Sequence, residues 1–183
     1  IKLQAEIQRL AKENDAEQVI LKIVACDASG NPIMTGAGGK EYTFENGVNE
    51  GIGAKYMVLA FKPGTTDFTT ANKVADQGGT VTIKTADGTA VTTGTKDDAT
   101  LDYQTETAKV VTLGESFTVT TLDDLIRDNG ETYNVSINNG TYTHPSTPLY
   151  ENVKTNTAPV ITTITDNTNT GTETDVDSVK IVL

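Results

Sequence analysis

The sequence has 183 residues and is 36% hydrophobic, which is enough apolar material for one large domain or two small ones. Aromatic residues make up only 5%, and the chain is rich in Thr, Val, Asp, Asn and Gly, a balance typical of short strands joined by polar turns. The single cysteine excludes an intrachain disulfide and any metal site built on several thiolates.

The net charge of −11 argues against binding to nucleic acid or to anionic membranes, because both require a clustered positive surface. Divalent cations are a more natural partner, although the same charge would also keep a long extracellular protein soluble and unassociated. No run of about 20 apolar residues is present, so the sequence predicts no membrane insertion by this segment.

The first 17 residues predict an amphipathic helix. They contain no Gly, Pro or Thr, and Leu3, Ile7 and Leu10 form an apolar stripe at helical spacing. A single helix of this length is marginal in water, so we expect the stripe to rest on the following domain or on a copy of itself. A linker or a fused segment is the alternative.

From Gln18 onward the pattern changes to that of strands. Gln18–Cys26 is an apolar run typical of a buried strand, and the turn residues Asp27-Ala-Ser-Gly-Asn-Pro follow it. Many short strands without regular helices between them predict an all-β fold, an antiparallel two-sheet sandwich after the N-terminal helix. The further strands are predicted at residues 41–45, 55–62, 80–85, 89–93, 109–113, 116–120, 132–137, 141–144, 150–154 and 160–165.

A short sequence echo predicts a tandem organisation. Leu21-Lys-Ile-Val24 is repeated as Val179-Lys-Ile-Val182, so matching residues lie 158 positions apart. This spacing predicts one full repeat followed by the opening strand of the next, in an array whose units contact their neighbours. The predicted divisions are a helix at 1–17, a sandwich repeat at 18–170, and a linker with a strand of the next repeat at 171–183. Neighbouring repeats of the same chain are then its partners.

The last third of the chain carries a family resemblance. Tyr133–Thr141, Tyr150–Val153 and the Thr-rich run Val160–Asp166 resemble the closing hairpin of the Ig-like extender repeats of large type I-secreted, RTX-type bacterial adhesins. The resemblance covers about residues 131–183. It implies an Ig-like β-sandwich, a place on the extracellular bacterial surface, and a role in giving reach and stiffness to an array used in cell adhesion or biofilm formation. In that family Ca²⁺ at the junctions between domains rigidifies the chain.

Acidic residues near the predicted junction are the candidate Ca²⁺ ligands. Ca²⁺ prefers several hard oxygen ligands, and carboxylates from two successive domains can clamp their junction. We expect the opposite end of the unit to supply the second half of the site, from Asp27 or from Asp15 and Glu17. A solvated linker without metal is the alternative interpretation. The candidates at the junction are Asp166, Glu173, Asp175 and Asp177.

The sequence also bears on two other function classes. Catalysis is not predicted, because Cys26 lies in an apolar run, the only histidine is His144 in a loop, and no nucleophile motif is present. A ligand-binding module for a cell-surface glycan or protein is the alternative to the extender. Its aromatic surface would use side chains for which core packing is the competing role: Tyr42, Tyr56, Phe61, Phe68 and Tyr103.

Overall fold

The computed structural model describes residues 2–5, 7, 18–75, 77–92, 101–123, 130–146 and 150–166. Residues 2–5 and 7 are helical, as the sequence predicts, and the rest of that segment lies outside the described residues. Within the described ranges, no helix combines the length and the apolarity that crossing a bilayer requires. The strands are β1 (Gln18–Cys26), β2 (Met34–Thr35), β3 (Glu41–Tyr42), β4 (Glu45–Asn49), β5 (Ala54–Phe61), β6 (Thr80–Asp87), β7 (Lys109–Thr112), β8 (Ser116–Val119), β9 (Glu131–Ile137), β10 (Asn152–Thr155) and β11 (Val160–Thr165).

Two sheets pack face to face and confirm the predicted Ig-like sandwich. The four-stranded sheet has the order β10-β1-β5-β8, and the five-stranded sheet has the order β4-β11-β9-β6-β7. Strands β1, β5 and β8 take the places of immunoglobulin strands A, B and E, while β6, β9 and β11 take those of C, F and G. A separate hairpin is formed by β2 and β3.

Most neighbouring strands are antiparallel, but two pairs are parallel. β10 runs parallel to β1, and β4 runs parallel to β11. The second pair forms because the chain, after β1, crosses to the edge of the other sheet and continues there in the same direction. Sequence patterning did not anticipate either parallel pair.

The main core lies between the sheets and contains a buried chain of hydroxyl groups. Tyr56, Tyr133 and Thr162 are fully buried, and the Tyr56 hydroxyl is 2.8 Å from the Tyr133 hydroxyl and 2.5 Å from Oγ1 of Thr162. Tyr103 stacks on Tyr133 with ring centroids 4.3 Å apart, and its hydroxyl donates to the Asp87 carboxylate at 2.6 Å. These bonds join β5 of one sheet to β9 and β11 of the other, so they fix how the sheets are placed.

A second apolar cluster covers the outer face of β1 and β5. Val24, Leu59 and Phe61 are buried there, beneath Tyr42 of the β2–β3 hairpin and Phe68 of the 62–75 segment. Phe61 makes edge-to-face contacts with both of these rings, at centroid distances of 5.4 and 5.0 Å. The β2–β3 hairpin and the 62–75 segment therefore contribute a second layer of core to the same unit.

Two predicted strands are absent from the described structure. Residues 89–92 follow the end of β6 without forming a strand, and residues 141–144 make only an isolated bridge between Thr143 and Thr80. The turn before the second of these has Gly140 at a φ of 70°. After it the chain makes one bridged pair and then leaves the sheet.

Candidate cation site at the exit end of the sandwich

The first and last long strands of the sandwich, β1 and β11, run in the same direction. Their final residues, Cys26 and Thr165, line one cleft of about 420 Å³. Lys22, in the middle of β1, reaches Ala158 just ahead of β11, which agrees with this alignment. We call the end where β1 begins the leading end, and the end that holds this cleft the exit end. The described chain therefore enters the sandwich at one end and leaves it at the other.

Two buried carboxylates lie side by side at the exit end. Asn49 pairs with Thr165 at the end of the β4–β11 ladder, and the next residues are Glu50 and Asp166. The Glu50 amide donates to the Thr165 carbonyl at 3.0 Å, which continues the ladder by one step. Glu50 is only 3% exposed and Asp166 only 7% exposed. The ends of β4 and β11 therefore bring two buried acidic residues to the place where the chain leaves the sandwich.

Asp123 follows β8 at this same end. A Cβ built on Gly51 would lie 3.4 Å from the Cβ of Asp123, so the loop after Glu50 passes close to it. Asp123 itself is exposed. The exit end therefore combines buried and exposed acids.

Asp27 lies at the exit end as well, which corrects the expectation that it belongs to the opposite end of the unit from Asp166. The physical reason is that β1 spans the sandwich before the Asp27 loop begins, so Asp27 reaches the cleft that Thr165 also lines. Its Oδ1 accepts hydrogen bonds from the amides of Asn31 and Ser29, each at 2.9 Å. These bonds, the one from Asn31 foremost, lower the pKa of the Asp27 carboxyl. Asp27 thus organises its own turn and presents a charged carboxylate at the cleft.

The described acids do not complete a metal site by themselves. Among the residues that the structure describes, no three His, Cys, Asp or Glu side chains are grouped closely enough to hold a metal ion. Ca²⁺ takes six to eight oxygen ligands, so Glu50 and Asp166 supply a hard-oxygen donor set of the right chemistry but too few ligands. The other predicted ligands, Glu173, Asp175 and Asp177, lie outside the described residues.

Glu50 was missed by sequence reasoning. It follows a short polar strand and resembles an ordinary turn residue, and only the pairing of β4 with β11 brings it beside Asp166. The strand predicted at residues 41–45 ends before Glu50, so the sequence pattern carried no signal for it.

The aromatic residues predicted as an alternative binding surface are mainly core residues. Tyr42, Tyr56, Phe61 and Tyr103 are all at most 7% exposed, and Phe68 is half-buried against Phe61. Four of these five rings are therefore not accessible enough to form a binding surface. The competing role, core packing, therefore holds for Tyr42, Tyr56, Phe61 and Tyr103.

Cys26 is buried at the end of β1, where burial, with the charge of Asp27 as a second cause, raises the pKa of the thiol to about 12. Its thiol is therefore protonated at neutral pH and is a poor nucleophile or metal ligand. His144 is exposed and lies in the separate 141–146 segment.

No protein-family model and no curated protein matches this sequence. Two solved structures are similar to it in fold. The apo form of the Calx CBD1 domain shares 15% identity and a TM-score of 0.44, with 82% of this chain and 98% of that chain aligned. The CBD12 structure from CALX1.2 shares 20% identity and a TM-score of 0.41, over 67% of this chain and 42% of that chain. Similarity at this level does not assign a family or a ligand to this chain.

Proposed function

We propose that this protein is a structural extender module of a bacterial surface adhesin. The observation that carries the proposal is the shared direction of β1 and β11, which lets the chain enter at one end and leave at the other. A nine-residue strand such as β1 spans ~30 Å. Units connected in this way add length with each copy, whereas units whose ends lay side by side would not.

The proposed partners are neighbouring repeats of the same chain, and the proposed location is the extracellular face of a bacterial cell after type I secretion. The repeated tetrapeptide supports this organisation, since its first copy forms the buried centre of β1. Lys22, Ile23 and Val24 are all at most 3% exposed, so the motif is a core strand and not a chance surface segment. An array of this kind would hold a distal adhesive domain away from the cell in adhesion or biofilm formation.

Ca²⁺ is the proposed source of stiffness. The buried carboxylates of Glu50 and Asp166 supply one side of the site at the exit end, with Asp27 at the same end. We assign the remaining ligands to the linker acids Glu173, Asp175 and Asp177. A bound cation offsets the repulsion among these carboxylates and ties the linker to the sandwich, which restricts the angle between one unit and the next.

Thermal unfolding with EDTA and then with excess Ca²⁺ tests the metal part of the proposal. A cation that binds only the folded state stabilises it by about 2.7 kcal/mol at a hundredfold excess over the dissociation constant, so the melting temperature should rise by several degrees. Asp166→Asn should remove the response. Asp67→Asn is the matched control, because Asp67 is an exposed acid in the 62–75 segment. Equal melting curves with EDTA and with Ca²⁺ for the unsubstituted chain would contradict a calcium site.

A further inference from the structure

A second cleft, of about 540 Å³, lies in the leading half of the sandwich. One wall is the edge strand β10, which contributes Val153, Lys154 and Thr155. The other wall is the segment after β9, which contributes Asn139, Tyr142 and His144. β10 pairs with the first residues of β1, so this cleft is distinct from the cleft at the exit end. Its volume lies within the usual range for small-molecule sites.

The aromatic wall of this cleft is held in place by several contacts. The Tyr142 hydroxyl donates to the Gly78 carbonyl at 2.9 Å. The same ring lies against Gly79, where a Cβ would be only 2.5 Å from Cε2 of Tyr142. Thr143 exchanges two backbone hydrogen bonds with Thr80, at 2.8 and 3.0 Å. The ring is therefore positioned before any ligand arrives, which lowers the entropic cost of binding.

His144 extends this wall. Its ring meets Tyr142 edge to face, with centroids 4.9 Å apart and an interplanar angle of 80°. Tyr142 is also 6.1 Å from the buried ring of Tyr150, so the exposed histidine is backed by a cluster of aromatic side chains. Ring surfaces of this kind pack well against the C–H faces of sugar rings, and the adjacent Asn139 amide can donate to and accept from hydroxyl groups.

The charge of the cleft contrasts with that of the whole chain. The sequence carries 25 acidic residues against 14 basic ones, yet the described residues lining the cleft include a lysine and a histidine and no carboxylate. Lys154 and His144 are both exposed and stand on opposite walls. An anionic group placed between them would meet donors from both sides, and an ammonium–carboxylate hydrogen bond is among the stronger polar contacts.

We propose that the cleft between β10 and the 139–144 segment binds a monosaccharide unit that carries a carboxylate, such as a uronic or sialic acid. The Lys154 ammonium contacts the carboxylate, Tyr142 and His144 contact the ring, and Asn139 contacts a hydroxyl. This binding goes beyond the extender role and does not depend on it, because the side chains that it uses all belong to the described part of a single unit. A module of the array would then also contact acidic glycans along its side.

Titration of the isotopically labelled full chain, followed by amide chemical shifts, tests the proposal with glucuronic acid, N-acetylneuraminic acid and glucose as probes. We expect saturable shifts confined to residues 139–144 and 153–155 with an acidic sugar, and weaker binding of glucose. Lys154→Ala removes one charge-assisted contact and should weaken the binding of the acidic sugar by about tenfold or more. Lys84→Ala, at an exposed position of β6, should bind as the unsubstituted chain does.

Several results would overturn this assignment. The first is the absence of saturable shifts with either acid up to about 20 mM, a concentration well above a millimolar dissociation constant. Equal affinity for glucose and glucuronic acid would remove the role of Lys154. An equal loss of affinity in Lys154→Ala and Lys84→Ala would show that the loss comes from the change in net charge and not from a contact made by Lys154. Unchanged shifts outside the cleft in each variant verify that the fold is intact.

Discussion

Replacing Lys22 with methionine should stabilise the protein, because Lys22 is a buried charge in the middle of β1. Its side chain is only 3% exposed, on the outer face of the strand. The ammonium donates to the Ala158 carbonyl at 2.5 Å and lies 4.6 Å from the centroid of the Phe44 ring. Burial lowers the pKa of Lys22 from 10.5 to about 8.

The magnitude follows from that pKa. A fall from 10.5 to about 8 means that folding destabilises the ammonium relative to the neutral amine by about 3 kcal/mol. The bond to Ala158 and the contact with Phe44 favour the ammonium and offset part of this cost. Ala158 is exposed, so its carbonyl can bond to water once the ammonium is removed. We expect Lys22→Met to raise the free energy of unfolding at pH 7 by about 1–3 kcal/mol.

The sign of the pH dependence is set by which state binds more protons. Below pH 8 Lys22 is protonated in both states, and the full cost of burying the charge is present. Between about pH 8 and 10.5 the unfolded chain holds the proton more than the folded chain does, so the Lys22 contribution makes stability rise with pH. Cys26 opposes this trend, since its raised pKa removes stability as the pH rises above 9.0. The difference between the two proteins isolates Lys22.

Urea unfolding at pH 7, 8, 9 and 10 measures that difference. The gain from Lys22→Met should be largest at pH 7 and should shrink toward pH 10. Lys84→Met, the same change at an exposed strand position, serves as the control and should show neither the gain nor the trend. A Lys22→Met protein that is less stable than the parent at pH 7, or a gain that does not change with pH, would refute the reasoning.

Two further substitutions test the packing. Tyr56→Phe removes a hydroxyl that contacts Tyr133 across the core. It should lower the free energy of unfolding, measured in urea, by about 1–3 kcal/mol, because buried polar partners lose a hydrogen bond. An unchanged free energy would mean that the hydroxyl chain does not stabilise the sandwich. Gly79→Ala introduces a Cβ at a φ of 90°, against the Tyr142 ring, and should lower the free energy of unfolding by at least about 1–2 kcal/mol. Unchanged stability together with unchanged NMR signals of Tyr142 would show that the glycine does not fix this ring.

Sequence reasoning located the strands whose burial is continuous or strictly alternating. The predicted bounds of β1 and β11 agree with the structure at both ends, since their apolar residues at buried positions are clear in the sequence. The predicted strands at 89–93 and 141–144 have similar threonine-rich composition but few core contacts. Whether a threonine-rich segment of this kind forms a strand or a loop depends on the residues that pack against it in the fold.

The candidate site was predictable only in part. Asp166 follows a clear strand, and its position at the exit of the unit could be inferred from the repeat spacing. Asp27 reaches the same end because β1 spans the sandwich, whereas the position of Glu50 next to Asp166 depends on a parallel pairing between segments more than a hundred residues apart. Such pairing is set by the whole chain, so no local pattern could have revealed it.

The central claim, that units join end to end and are stiffened by Ca²⁺, is tested most directly by small-angle scattering from a two-unit chain. Residues 18–175 followed by 18–183 reproduce the natural spacing of the repeated strand. With Ca²⁺ the account predicts a rod whose longest dimension is roughly twice that of one unit, and with EDTA a more flexible particle with a broader distribution of lengths. A compact particle with the two units side by side, unchanged by EDTA, would contradict the account.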